Sequence, residues 1–181
     1  MSNADYSSAA LPKLSARLET VAQWVLPGRP VADVGTDHGA LPMVLLLRKQ
    51  VPMAVLSDRV PALIERLRPR VQAWELQDRV SLRVGDGLSV LLPDECSSLV
   101  LAGMGAGLMQ SMFSRVNPRP LGLERLVLQP NTCSRALVQN LTQLGYGLIE
   151  RVLVRRIRPR SSRAVRREQG RADEILVFEA C

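Results

Sequence analysis

The chain has 181 residues, 46% apolar and only 3% aromatic, enough for one domain whose core must be aliphatic. No apolar run approaches a membrane span, and the polar first ten residues lack the basic-then-apolar layout of a secretory signal, so neither a membrane partner nor export is expected. The net charge of +7 sits in one stretch: residues 155–171 hold eight arginines (Arg155, Arg156, Arg158, Arg160, Arg163, Arg166, Arg167 and Arg171) against one acid, Glu168, which predicts a local anionic partner.

In chain order, residues 1–10 are small and polar and are expected to be disordered, leaving 11–181 as a single domain. Residues 15–26 carry Leu18, Val21, Ala22 and Val25 at helical spacing, and Pro27-Gly28 ends that helix. Residues 31–34 form a short apolar run that predicts a buried parallel strand, followed by a turn with Gly35 and Gly39 and an apolar helix over 41–47. A second strand is predicted over 53–56, with Asp58 just past its end, then a helix over 63–76 that Pro69 should kink or divide. The third strand covers 80–84 and runs into Gly85-Asp-Gly87; the fourth covers 98–102 and ends in Gly103-Met-Gly105. A helix over 106–115 precedes a fifth strand, 125–128, which ends in Gln129-Pro-Asn131. Thr132 or Ser134 should cap the next helix, which stops at Gly145. Two closing strands, 147–154 and 174–178, flank the arginine-rich segment.

Five β-α repeats followed by two consecutive strands predict an α/β, Rossmann-like sheet of seven strands with helices on both faces. The sheet is mostly parallel, and the closing hairpin predicts one antiparallel edge strand. This is the plan of class I S-adenosylmethionine-dependent methyltransferases. Cys96, Cys133 and Cys181 are odd in number and far apart, so no disulfide framework or metal site follows and a reducing, cytoplasmic location is expected.

Ligands of open α/β sheets bind outside the carboxyl ends of the strands, and all five early strands deliver polar or glycine residues there. The spacing Gly35-x-x-x-Gly39 is not a dinucleotide fingerprint. Asp33 and Asp37 beside it suit a cationic ligand better than a pyrophosphate, and S-adenosylmethionine carries an ammonium and a sulfonium. The turn Gly35-Thr36-Asp37-His38-Gly39 would hold the methionine part. Asp58 can accept from both ribose hydroxyls, although it also suits a helix cap before Pro61. Asp86, with Gly87, can accept from the adenine amine, although Asp-Gly is also a common turn. Gly103 and Met104 would line the methyl-transfer side, and Gly105, Gln129, Pro130 and Asn131 the substrate side. His38, the lone histidine, suits a structural hydrogen bond better than general-base work.

The residues Leu14-Ser-Ala-Arg-Leu18 with Val21-Ala22, Ala32-Asp-Val-Gly-Thr-Asp-His38, Leu41-Pro42, Gly85-Asp-Gly-Leu88, Ala102-Gly-Met-Gly105 and Glu124-Arg-Leu-Val-Leu-Gln-Pro-Asn131 closely resemble the bacterial tRNA adenine-22-N1-methyltransferase family, in family order over about residues 13–154. The resemblance implies the class I fold, S-adenosylmethionine as cofactor and methylation of adenine N1 in tRNA. The family also has a C-terminal helical domain that helps hold tRNA, which is expected to be absent here, and an aromatic pair where this chain has Gly170-Arg-Ala-Asp-Glu174.

Adenine N1 has an in-plane lone pair, so alignment matters more than a strong base. No catalytic base is assigned; Asp37 and Asn131 are the candidates for a catalytic contact. The arginines Arg155, Arg156, Arg158, Arg160, Arg163, Arg166 and Arg167 are expected to clamp phosphates, and without interleaved aromatics they suit backbone contact better than base readout. Alternatives are a relative acting on another RNA or a small molecule, and a non-catalytic module that binds cofactor or RNA.

Overall fold

The computed structural model describes residues 12–155 and 172–181. The expectations for residues 1–10 and for Arg156, Arg158, Arg160, Arg163, Arg166, Arg167 and Arg171 lie outside the described residues.

Helix α1 (Ala16–Trp24) begins at Ser15, whose Oγ accepts the Leu18 N–H at 3.3 Å. Strand β1 (Val31–Val34) is buried along its whole length, as both faces of a parallel sheet require. Then follow α2 (Ala40–Leu47), β2 (Ala54–Asp58), α3 (Pro61–Ala73), β3 (Val80–Val84), β4 (Ser98–Met104), α4 (Ala106–Arg115), β5 (Arg125–Pro130), α5 (Arg135–Gln143), β6 (Tyr146–Arg155) and β7 (Ala172–Ala180).

The strand order is β3-β2-β1-β4-β5-β7-β6. The first five strands are parallel, and β7 runs antiparallel to both β5 and β6. The antiparallel strand therefore lies one place in from the edge, where it buries Ile175, Leu176, Val177 and Phe178. Side chains alternate between two cores, as a strand's period of two dictates. Val31, Val100, Val127, Ile175 and Val177 pack with residues of α1, α2 and α3. Ala32, Leu99, Leu101, Leu126, Leu128 and Phe178 pack with residues of α4 and α5.

Three local expectations change. Pro69 does not divide α3, which runs through it as one helix; Pro69 is exposed, so the carbonyl freed one turn earlier can turn to water. The fourth and fifth strands extend past their predicted ends to Met104 and Pro130, with an irregularity between Ala102 and Met104. Gly103 takes φ +80° there, which a glycine adopts freely. The third concerns capping. Thr132 caps α4, not α5, because its Oγ1 accepts the Ala106 N–H at 2.9 Å. Ser134 stands at the start of α5 without a side-chain cap bond, and its Oγ donates to Glu174 Oε2 at 2.6 Å.

Candidate active site

The chain leaves β1 in a tight turn. The Gly35 and Thr36 N–H groups both donate to the Ser57 carbonyl of β2, at 2.8 and 3.0 Å, and Gly39 N–H donates to Thr36 O at 2.8 Å. Asp37 (φ +48°) and Gly39 (φ +61°) take left-handed conformations that turn the backbone into α2. Gly35 has φ +76°, and a Cβ there would lie 2.8 Å from Met104 Cε. The glycine thus serves backbone curvature and the close approach of β4 together.

These elements enclose a hollow of about 400 Å³. Asp33, Gly35, Thr36, Asp37 and His38 line it from β1 and its turn, and Ala40 and Leu41 from α2. Ala102, Gly103 and Met104 close it from β4, and Arg17 and Leu18 from α1. Asp33 is buried at 6% exposure, and Thr36 Oγ1 donates to its Oδ2 at 2.6 Å. Burial pushes the Asp33 carboxyl up to about 6, against the opposing pull of the Thr36 hydrogen bond. Asp37 and His38 are both exposed, with Nε2 and Oδ2 3.5 Å apart. Ser57 Oγ is buried and has no hydrogen-bond partner among the described residues. Among the described residues, no cluster of His, Cys, Asp and Glu could hold a metal ion, and no helix is long and apolar enough to cross a membrane.

A polar chain runs from this hollow to the end of β5. Arg17 Nη1 donates to Gln129 Oε1, and Gln129 Nε2 donates to Asn131 Oδ1 at 3.2 Å. Asn131 Nδ2 then donates to Gly103 O at 2.7 Å, while its N–H donates to Met104 O at 2.8 Å. The tips of β4 and β5 are thereby tied to α1. Gln129 is buried and Asn131 is exposed. Gly105 stands at the N-cap of α4, beside Thr132.

The structure brings Asp33, Gly35, Thr36, Asp37, His38, Gly103 and Met104 to one hollow; Gly39 completes the turn without lining it. Asp58 and Asp86 do not line it. Asp58 Oδ1 accepts the Val60 N–H at 2.9 Å, which turns the chain into α3. Asp86 is exposed and ion-paired to Arg115, and with Gly87 it lines a separate hollow of about 90 Å³. Arg155 ends β6 in an exposed position. Sequence reasoning quoted Arg17 only within the run Leu14-Ser-Ala-Arg-Leu18 and gave no role to it or to Ser57. Arg17 lines the hollow from α1, and the Ser57 carbonyl holds the turn, both through contacts distant in sequence.

A sequence profile described as a methyltransferase domain matches residues 14–158. A curated relative, the tRNA (adenine(22)-N(1))-methyltransferase of Bacillus subtilis, is 32% identical over 168 residues, 93% of this chain and 66% of the relative. The crystal structure of the Bacillus subtilis tRNA methyltransferase TrmK superposes with a TM-score of 0.82 at 31% identity, covering 95% of this chain and 68% of that one. The Streptococcus pneumoniae protein Sp1610, solved in complex with S-adenosyl-L-methionine, gives 0.80 at 30% identity over 93% of this chain and 73% of that one. The chain thus spans about two thirds of the length of these relatives. With a matching domain profile and two such relatives at or above 30% identity, the chain belongs to the methyltransferase-domain family, in its TrmK-like branch.

Proposed function

We propose that this chain transfers the methyl group of S-adenosylmethionine to N1 of an adenine in tRNA, in the cytoplasm. The observation that carries this is the hollow at the β1 tip, in a chain 30% identical to a protein solved with that cofactor bound. The donor set fits the group. Asp33 and Asp37 offer carboxylates to an ammonium, and Gly35 leaves room beside Met104.

The cofactor, when bound, supplies a methyl on a positively charged sulfur; the chain's residues align it and exclude water. Asp33 and the turn 35–39 would hold the amino-acid part. Asp58 commits one carboxylate oxygen to Val60 and keeps the other for a ribose hydroxyl. A role for Asp86 toward the adenine amine requires its exposed pair with Arg115 to open. Gln129, Pro130 and Asn131, beside Gly103, Met104 and Gly105, would receive the target base once it leaves its stack. Methylation at N1 leaves that base cationic, and strand-tip carbonyls such as that of Pro130 suit it. Asp37 and Asn131 remain the candidates for a catalytic contact.

Mass spectrometry of nucleosides from tRNA incubated with the chain and cofactor tests the reading. Accumulation of N1-methyladenosine is expected. An unmodified tRNA pool, with the cofactor shown to bind, would leave this chain a cofactor-binding module.

A further inference from the structure

A second hollow, of about 410 Å³, opens between the start of α5 and the β6–β7 pair, and it shares no lining residue with the hollow at the β1 tip. Arg135, the first residue of α5, lines it, is exposed, and has no ion pair or hydrogen bond among the described residues. Arg151 lines it from β6. The one acid in the lining, Glu174, is committed at both oxygens. Its Oε1 accepts from Arg151 Nη1 at 2.8 Å, and its Oε2 accepts from Ser134 Oγ at 2.6 Å. Ser134 is thereby drawn away from capping, so no side chain at the N-cap accepts from the first N–H groups of α5, and no acid stands in its first turn. A helix N-terminus favours an acid, and an arginine there opposes the helix dipole. Two guanidinium groups and a helix end thus gather positive charge that one carboxylate does not offset. An anion would relieve it.

The kind of anion follows from the neighbours. Arg151, Leu153 and Arg155 alternate along β6 and share one face of the strand. Leu153 is 66% exposed, so an apolar surface lies between two cations. A free inorganic anion would leave Leu153 unused. A nucleic-acid strand brings phosphates with sugar and base between them, and so uses all three side chains. The location suits the same strand. Cys133 lines the hollow two residues after Asn131, at the β5 end proposed to receive the target base. We propose that this face holds the tRNA strand next to the target adenine, with a backbone phosphate seated against Arg135, Arg151 and the start of α5, and the adjoining nucleoside over Leu153. The proposal rests on the reading of the chain as a tRNA methyltransferase and names a place where its substrate is gripped. Phosphate contacts fix position and not sequence, and a fixed flanking phosphate steadies the strand while the base leaves its stack.

The test uses the full chain and unmodified tRNA: binding titrated across salt, steady-state methylation, and calorimetry with S-adenosylmethionine. Arg135→Gln should weaken tRNA binding about 5- to 20-fold, as loss of a partly solvated charge-assisted contact implies. It should flatten the slope of log affinity against log salt by about 0.7–0.9, one phosphate's worth. The loss should appear in KM for tRNA, with S-adenosylmethionine affinity within about twofold. The melting temperature should hold or rise by about 1–3 °C, because an opposing charge leaves the helix end. Arg135→Lys keeps the charge and loses the fork, so it should lose about 2- to 5-fold with the slope kept; it carries the test if the glutamine variant does not fold. Leu153→Asn should weaken tRNA with no change of slope, since no counterion is involved. Arg66→Gln removes the same charge from exposed α3, which packs on the other face of the sheet, and should leave tRNA affinity within about twofold. Equal losses for Arg66→Gln and Arg135→Gln would reduce the effect to net charge and overturn the proposal. So would a wild-type slope and KM in Arg135→Gln, or a loss of tRNA that comes with a lowered melting temperature. A wild-type chain that binds S-adenosylmethionine and no tRNA would instead remove the substrate reading itself, and this site with it.

Discussion

At the scale of single residues, Asp33 sets stability against function. Its folded carboxyl titrates at about 6, above the ordinary aspartate value, because burial disfavours the charge. The folded state therefore holds its proton more tightly than the unfolded chain. No penalty exists below about pH 4; it develops between about pH 4 and pH 6, and above that the ionised carboxylate costs on the order of 3 kcal/mol. Asp33→Asn keeps an acceptor for Thr36 Oγ1 and removes the charge. In urea unfolding followed from about pH 4 to pH 7, the variant should match the wild type at the acid end and exceed it by about 1–3 kcal/mol at neutrality. It should bind S-adenosylmethionine much more weakly. A bound ammonium favours the ionised form, so wild-type affinity should rise as pH increases through about 6, with a proton released on binding. A stability gap between the proteins that does not change with pH would show that Asp33 is not ionising inside the fold. Gly35 makes a second residue-level case. Gly35→Ala should cost about 1–2 kcal/mol from its positive φ alone, while the flexible Met104 tip gives way. The displaced tip narrows the hollow, so cofactor affinity should fall by more than the melting temperature suggests, as calorimetry beside a thermal melt will show.

At the scale of elements, what could be read from the chain was what is local. An apolar run placed β1, alternation placed β3 and a helical pattern placed α4 at their observed ends, since burial on both faces of a strand, an edge strand's period of two and a 3.6-residue period each leave a direct trace in sequence. The turn from Gly35 to Gly39 was legible for the same reason: its glycines and acids are contiguous. Long-range pairing was not legible. The seat of β7 between β5 and β6 follows from which strand can bury an apolar quartet, and nothing in the two closing strands states that order. Asp58 and Asp86 were read as polar residues delivered by strand ends. The structure shows a local partner for each, Val60 and Arg115, and neither lines the hollow at the β1 tip. Thr132 shows the same limit, because a threonine after β5 reads locally as a cap for α5. In the fold it reaches Ala106 and caps α4, stapling two βα turns together at the floor of the proposed base site. Thr132→Val removes the acceptor with little change in shape. It should cost about 1 kcal/mol in chemical denaturation, and hydrogen exchange should quicken at the first turn of α4 and not of α5.

At the scale of the molecule, charge and hollow are separately placed. Excluding residues 155–171, acids and bases nearly balance, and the hollow itself mixes two carboxylates with one guanidinium. Such a hollow can seat a zwitterionic cofactor, yet it offers little to a polyanion the size of tRNA. If the chain holds tRNA as proposed, attraction for the RNA backbone would come from elsewhere, and the eight arginines of 155–171 are the largest local excess of charge in the chain. That segment joins β6 to β7, whose partner in the sheet is β5. Its described flanks, Arg155 of β6 and Ala172 of β7, pair with each other, and β7 lies beside β5, whose end carries Gln129, Pro130 and Asn131. Arg135 and Arg151 flank a further hollow of about 410 Å³ between α5 and this hairpin, with Arg151 held by Glu174 at 2.8 Å. If the segment neutralises phosphates, each contact releases counterions and contributes about 0.7–0.9 to the slope of log affinity against log salt. Replacing Arg156, Arg158, Arg160, Arg163, Arg166 and Arg167 by glutamine should then flatten the slope for tRNA by several contacts' worth. Affinity for S-adenosylmethionine should not change, because its proposed seat lies in α1, β1 and β4. A slope identical to that of the wild type would place the phosphate contacts on another surface, and the arginines would have no part in holding the RNA.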